Sequence, residues 1–586
     1  MPKWLWFSIT ALVLTVLVML PILPVIQQTP EKNSGMFLYT AQQMVEGKKL
    51  YKEVWDHKPP LIFAINSLGL ILGKGSLWGI WGIQFLFCFL VVFLILVTLN
   101  RFFSAFTAAF SVVCAMAALM MVNHGGNYSE NYGLLFQAGV FWLALHAGKT
   151  YRKTGRLYLA AGVLAGLAFM LKQNLIGFGL ALGIYLILRE IFRKTPHQWQ
   201  DVLGLVSGFG LTMLLFFGYF YLRGVFVDFW DAAFRYNLAY TRLGLLERIN
   251  ASLDVVEMLS TIPPFTLAMA AWLSALLLIC WQFSSAAAGL LRRRNLPVVM
   301  IAVGIAWFLS ALLVERVTTS GAAGFGLLQW LSAIGGLLLA VAGATEGRLR
   351  WMGHLAGWLE SLNPPLKPEV IPLVGVAVLW FPIDILMVSL SGRTYVYYLI
   401  ALVPVTAFLL GILAHILVDQ AGQRSSPMRL VASSLMVIVM AAPMISFFNS
   451  LKPGSDHQID ASVQAILDHS NPGDTVLTWG SQPLINFLTD RPQPSRYIHS
   501  WFFFTDHYAL VQRQAELLES LIKKKPTLIL DTKDPDAPFV EDMQNCLYPS
   551  GSPPGILGQV FDYICRSYIL IDTVGPEKWP LYQYEG

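Results

Sequence analysis

Apolar runs of about 20 residues recur along this chain, each long enough to cross a hydrocarbon core about 30 Å thick. They begin at Trp4–Ile26 and continue at Ser76–Leu99, Ser104–Val122, Tyr132–Gly148 and Leu157–Leu171. Leu175–Ile191, Val202–Leu222, Leu259–Trp281 and Val298–Val314 follow, then Gly324–Ala344, Val370–Leu390, Tyr397–Val418 and Leu430–Phe448. The pattern predicts a polytopic α-helical membrane protein with about 13 spans by the 20-residue rule. Leu61–Leu72 is too short to cross and is expected at the interface or as a re-entrant segment. A transmembrane barrel would show short alternating segments instead. Trp4–Ile26 is too long for a usual signal-peptide core and lacks a small-residue cleavage site, so it is read as a retained first helix.

After about Asn449 the apolar runs shorten to strand length. Asp460–His469 has helical periodicity, Asn471–Asp474 reads as a turn, and Thr475–Trp479 and Thr527–Leu530 read as strands. Tyr508–Ile522 between them reads as an amphipathic helix, so residues 449–586 are expected to form a small α/β domain. Residues 1–448 would be the membrane domain, with polar loops at 27–75 and 223–258. Within the second loop, FVDFWDAAFRYN places aromatics at helical spacing, as in a helix lying along the interface.

Composition agrees with this division: 56% of residues are hydrophobic and 13% charged, against about 25% charged in soluble domains. With the N-terminus inside, the short inner links carry Arg101, Lys149–Arg156, Arg189–Lys194, Arg292–Arg294, Arg348, Arg350, Arg424 and Arg429, as the positive-inside rule requires. The odd span count then puts the C-terminal segment outside. The net charge of +5 is distributed between helices, which argues for topology and against nucleic-acid binding. Five cysteines show no metal-binding spacing. Cys88, Cys114 and Cys280 sit in apolar runs, while Cys546 and Cys565 could pair outside the cytoplasm.

The same topology gathers unusual polar groups at one face: the 27–75 loop, Asn123–Asn131, Lys172–Asn174, the 223–258 loop and Gly392–Thr394. Lys58 precedes Pro59 and Pro60, which hold the chain extended. Its ammonium would sit near head-group level, as a phosphate contact or a snorkelling interfacial lysine. Lys172 interrupts an apolar stretch, where a charge is costly unless paired; a helix-end anchor is the alternative. Arg393 is a single outward cation open to the same two readings. Glu130 lies at a helix start, where capping alone would favour a carboxylate. Asp56 and His57 adjoin Lys58, and a local ion pair would also explain them. Glu46 and Glu53 read as solvated surface.

The segments SGMFLYTAQQMVEGKKLYKEVWDHKPPL, Glu130 with Tyr132, GLAFMLKQN, YLRGVFVDFWDAAFRYN and GRTYVYYLIALVP, in this order, resemble the GT-C glycosyltransferases. That family includes protein O-mannosyltransferases and lipid A aminoarabinose transferases. The resemblance implies transfer of a sugar, with inversion, from a polyprenyl-phosphate carrier to an extracytoplasmic acceptor at the plasma membrane. It implies that Lys58 contacts the carrier phosphate, with Lys172 and Arg393 as further candidates. Asn33, His57, Gln173 and Tyr397 complete the candidate substrate contacts, and Glu31, Asp56 and Glu130 are the candidate catalytic carboxylates. The family's first loop usually opens with an acidic residue where this chain has Asn33, and His57 stands where aminoarabinose transferases show Glu. No metal ligand is therefore carried over, and the need for a divalent metal stays open.

The chemistry can also be derived directly. A sugar on a lipid phosphate has a good leaving group, which needs cations more than an acid. An acceptor hydroxyl needs one base within hydrogen-bond reach, unlike the two flanking carboxylates of glycoside hydrolysis. Two other readings remain: a catalytically impaired homologue that binds the lipid-linked sugar, and a multi-span transporter, which should show interrupted helices near mid-membrane.

Overall fold

The computed structural model describes residues 2–147, 154–191, 199–287, 371–415, 454–505, 508–540 and 555–586. The expected spans Val298–Val314, Gly324–Ala344 and Leu430–Phe448 lie outside these residues, as does Cys546. Among the described residues six helices are long and apolar enough to cross a membrane, or seven if one bent pair is a single span. The chain is a helical membrane protein.

The first helices are α1 (Lys3–Met19), α2 (Lys32–Val45), α3 (Leu61–Leu72) and α4 (Leu77–Leu99). They are followed by α5 (Ala105–Val122), α6 (Ser129–Ala147) and α7 (Thr154–Leu171). Ser76 and Ser104 start α4 and α5 by accepting the N–H groups of Trp78 and Thr107, which satisfies donors left over at a helix start. A short 3-10 turn, Gln173–Ile176, leads into α8 (Gly177–Ile191), and α9 spans Gln200–Leu222. The backbones of α7 and α9 touch along a seam of small residues. A Cβ on Gly162 would lie 2.0 Å from the Leu205 carbonyl oxygen, and one on Gly208 would lie 2.0 Å from that of Leu159. Small residues at four-residue spacing allow this approach between membrane helices.

The second polar loop is not one interfacial helix. It is broken into α10 (Phe226–Trp230), a π-helical turn Asp231–Tyr236, α11 (Asn237–Tyr240) and α12 (Leu245–Thr261). α13 begins at Pro263 and runs to Ala287, so the span expected from Leu259 starts later. Ile262 is extended before two prolines, which disfavour helix at the preceding residue, and the chain bends by 113° there. α14 (Ile371–Ser389), a 3-10 turn Val396–Leu402 and α15 (Val403–Ala414) complete the described bundle.

The C-terminal residues form α16 (His457–His469), β1 (Val476–Trp479), α17 (Pro483–Thr489), α18 (Leu510–Lys524) and β2 (Leu528–Asp531). α19 (Ile556–Ser567), β3 (Tyr568–Val574) and β4 (Trp579–Tyr584) follow. The sheet order is β1-β2-β4-β3. β1 and β2 are parallel, with Val476 opposite Leu528, and both are buried throughout, as internal parallel strands are. β4 pairs antiparallel with β2 and with β3, so the sheet is mixed. The β3–β4 hairpin turns through Gly575 and Lys578, both at positive φ.

α2 joins the two parts. Leu38 and Ala41 share a core with Leu484, Ile485, Leu528 and Leu581, and a Cβ on Gly35 would lie 2.5 Å from Leu484 Cβ. On the bundle side Phe37 meets Phe63 edge-on, 6.1 Å between ring centres. The first polar loop is thus clamped between the bundle and the sheet.

Candidate active site

The first loop supplies one wall. Glu31 caps α2: its Oε2 accepts the Asn33 N–H at 2.8 Å and its Oε1 accepts the Asn33 side-chain amide at 3.2 Å. Asp56, fully buried, shapes the turn before the prolines by accepting the Lys58 N–H at 2.8 Å. Tyr51 donates its hydroxyl to the Lys58 carbonyl at 2.8 Å. The turn holds the Lys58 ammonium 5.3 Å from the centre of the Phe37 ring. Among the described residues no carboxylate lies within 4 Å of it.

A second wall comes from two helix ends. Gly126 and Asn127 take positive φ, turning the chain into α6 with Glu130 buried in its first turn. Asn127 is held by Ser34 at 2.9 Å, Asn66 at 2.8 Å and the Tyr132 hydroxyl at 2.7 Å. Lys172 is extended between α7 and the 3-10 turn. Its ammonium sits 2.5 Å from Glu130 Oε1 and 3.6 Å over the Tyr398 ring. Tyr397, 5.6 Å from the same ammonium, stacks on Tyr128 at 4.4 Å. Glu31 and Glu130 both act on Tyr128, adding to the burial that pushes its hydroxyl well up.

The π-helical turn supplies the third wall. Such turns cost regular helix geometry and concentrate at functional sites. Asn237, just after it, donates to the His57 carbonyl at 2.8 Å and contacts Gln173 Oε1 at 3.2 Å. Tyr236 and Tyr240 face the His57 ring at 5.5 and 6.1 Å. Arg393 reaches the site through a hydrogen bond to Tyr240.

The C-terminal residues close the site. The Trp55 N–H donates to the Arg496 carbonyl at 2.7 Å, and Trp55 and Tyr497 form a parallel bridge. This delivers His499 into the field of Asp56, and Trp501 and Phe502 against His57 at 6.4 and 5.7 Å. Lys32 pairs with Asp534 at 3.4 Å, and Asp536 acts on Arg393.

Asp56, His57, Lys58, Lys172 and Gln173 therefore form one cluster, to which Tyr240 ties Arg393. Glu130, Tyr397 and Tyr398 surround Lys172, while Glu31 and Asn33 bond to each other at the start of α2. Sequence reasoning missed His499, Trp501, Tyr236, Tyr240 and Asn237. The run of aromatics around the first loop's partners was visible, but no local spacing links residue 499 to residue 56.

Burial alone would raise the Asp56 carboxyl, yet Lys58, His57 and His499 hold it below the usual carboxylate range. Burial pushes His57 down to about 4, with Lys58 and Lys172 adding to the effect, and pushes His499 down to about 3. Both imidazoles are then neutral at pH 7, so the Lys58 ammonium and its N–H carry the stabilisation of Asp56 there. Among the described residues no group of three or more His, Cys, Asp or Glu side chains is placed to hold a metal ion. Cys88 and Cys114 are free thiols, and Cys565 is disulfide-bonded.

No match was found among the curated proteins. Among solved structures, ArnT from Cupriavidus metallidurans bound to undecaprenyl phosphate is similar at 14% identity, over 98% of this chain and 97% of that chain, with a TM-score of 0.46. The archaeal oligosaccharyltransferase AglB from Archaeoglobus fulgidus, in complex with an inhibitory peptide and a dolichol-phosphate, is similar at 11% identity, over 90% of this chain and 69% of that chain, with a TM-score of 0.47. Residues 57–218, which carry His57, Lys58, Glu130, Lys172 and Gln173, match the family described as dolichyl-phosphate-mannose-protein mannosyltransferase.

Proposed function

We propose that this protein is a GT-C membrane glycosyltransferase that takes a sugar from a polyprenyl-phosphate carrier and transfers it, with inversion, to an acceptor on the extracytoplasmic side. The reading places the N-terminus in the cytoplasm of a plasma-membrane protein, residues 1–448 in the membrane domain and residues 449–586 outside. One observation carries it: Lys58 and Lys172, from sequence-distant links, both act on His57, Arg393 reaches the same cluster through Tyr240, and Lys58 is left without a carboxylate neighbour within 4 Å among the described residues. Preorganised cations aimed at a departing phosphate are what this leaving group requires. Glu31, Asp56 and Glu130 are the candidate catalytic carboxylates, and Asn33, His57, Gln173 and Tyr397 line the substrate.

One geometric fact favours the alternative of a sugar-lipid-binding homologue with impaired catalysis. Both Glu31 oxygens are engaged by Asn33, where the resembling family shows an acidic residue. The test supplies polyprenyl-phosphate sugars to purified protein in nanodiscs and follows transfer by the wild type and by Glu31→Gln, Asp56→Asn, Glu130→Gln, Lys58→Ala and Asn33→Asp. Transfer by the wild type that collapses in Lys58→Ala supports the enzyme. Transfer only after Asn33→Asp supports the impaired homologue.

A further inference from the structure

On the transferase reading, the three candidate carboxylates are poor proton acceptors as they stand. Glu31 is spent on the α2 cap. Glu130 is neutralised by Lys172 at 2.5 Å. Asp56 has no exposed surface, and its Oδ1 already accepts the Lys58 N–H. The imidazole beside Asp56 is different: His57 keeps 18% of its side chain exposed.

We propose that His57 accepts the proton of the acceptor hydroxyl, with Asp56 as the residue that positions it and His499 backing Asp56 from the C-terminal segment. His57 Nδ1 lies 3.3 Å from Asp56 Oδ1, sealed from solvent and off the hydrogen-bond line. The side chain keeps 18% exposure, and Nε2 is the ring nitrogen left for an acceptor to meet. With its proton on Nδ1, facing the carboxylate, the ring presents a lone pair at Nε2. A base oriented by a third group is the arrangement that activates nucleophiles generally, and such bonds are often loose before substrate arrives. Tyr236, Tyr240, Trp501 and Phe502 wall the ring, limiting the poses an acceptor can take.

Atoms balance as follows. The acceptor hydroxyl gives its proton to His57 Nε2 as its oxygen bonds to the anomeric carbon. The bond from that carbon to the phosphate oxygen breaks, and the electron pair leaves with the polyprenyl phosphate. His57 then returns the proton to water.

The groups facing His57 are Asp56 and Lys58 on its own loop, Lys172 at the end of α7, Tyr236 and Tyr240 from the second loop, and His499 from the C-terminal segment. In the empty site Lys58 and Lys172 oppose a positive charge on His57. A carrier phosphate lying between these cations cancels that opposition, so the base strengthens when the donor is bound. The neighbouring cations thereby link proton transfer to donor occupancy.

The test uses the full chain in nanodiscs, with undecaprenyl phosphate as the binding probe and undecaprenyl-phosphate-linked mannose and glucose as donors. His57→Gln is expected to lower kcat by about 100-fold or more, the range of general-base contributions, with little change in the donor KM. Asp56→Asn is expected to move the acidic limb of the kcat profile as well as lower kcat. In 13C-histidine NMR of the wild type, the His57 signal, identified by its loss in His57→Gln, is expected to titrate about one pH unit higher with undecaprenyl phosphate bound. An unchanged kcat in His57→Gln, or a titration that stays put while undecaprenyl phosphate binds, overturns the assignment and leaves the transferase reading standing. A wild type that neither binds undecaprenyl phosphate nor turns over either donor removes the transferase reading itself, and this inference with it.

Discussion

The Lys172 ammonium stands 2.5 Å from Glu130 Oε1, with both side chains largely withdrawn from solvent. Removing one member of a buried pair leaves an uncompensated charge, which costs about 3–5 kcal/mol, whereas removing both costs far less. Glu130→Gln should therefore lower the apparent Tm markedly, and adding Lys172→Met should restore much of it. A double-mutant cycle of thermal unfolding in detergent checks this. Two additive losses would mean that the pair is not energetically coupled.

Lys58 behaves differently because its near neighbour is the Phe37 ring. Lys58→Ala should cost about 0.5–1 kcal/mol of stability, the scale of an exposed cation–π contact, and should weaken undecaprenyl phosphate binding by about tenfold or more. Equilibrium binding alongside a thermal scan separates the two effects. Unchanged phosphate affinity would remove Lys58 from that role.

The two buried imidazoles set a pH dependence. The ordinary histidine value is 6.5, and the folded chain holds His57 at about 4 and His499 at about 3. Between those limits the unfolded chain binds more protons than the folded one, so stability falls as the pH drops below 6.5. At pH 5 each imidazole should cost on the order of 2 kcal/mol. The Asp56 carboxyl, depressed in the fold, loses its contribution only as the pH falls below its ordinary value of 3.8, so it is constant across this window. Apparent Tm should drop from pH 7 to pH 5 in the wild type and drop less in a His57→Gln, His499→Gln double variant.

The α7–α9 seam gives a backbone test. Gly208→Ala should destabilise the protein, since its Cβ would stand 2.0 Å from the Leu159 carbonyl oxygen. Gly210→Ala, two residues on and with nothing within 4 Å, should be neutral or stabilise by about 0.5–1 kcal/mol through helix propensity. Folded yield and apparent Tm should fall in Gly208→Ala and hold or rise in Gly210→Ala.

Much of the candidate site is legible in the sequence because single polar residues in apolar surroundings are conspicuous. Lys172 and Glu130 stood out on that ground, and both lie at helix ends where a run of apolar residues breaks. Lys58 was legible through its two prolines. His499 was not, because it sits in a local run of aromatics, and its meeting with Asp56 depends on a bridge between Trp55 and Tyr497 that no periodicity encodes. α2 read as polar loop because its buried face includes Ser34, Thr40 and Gln43, whose burial needs both the bundle and the sheet. The β3–β4 hairpin was missed for a related reason: β3 alternates poorly and carries an irregularity between Leu570 and Asp572. Of the thirteen expected spans, Val298–Val314, Gly324–Ala344 and Leu430–Phe448 lie outside the described residues, and the one expected from Leu259 begins at Pro263, after the 113° bend.

The clamp on the first loop also dictates an order of assembly. Arg496 reaches the Tyr51 carbonyl across 445 positions of chain, so the pocket has no roof until residue 496 has emerged. At about 5–20 residues per second, that interval lasts on the order of tens of seconds. During it the nascent bundle carries Lys58 uncovered, with His499 still unsynthesised. A truncated or prematurely released chain would therefore present a cationic, unfinished cleft rather than a working one.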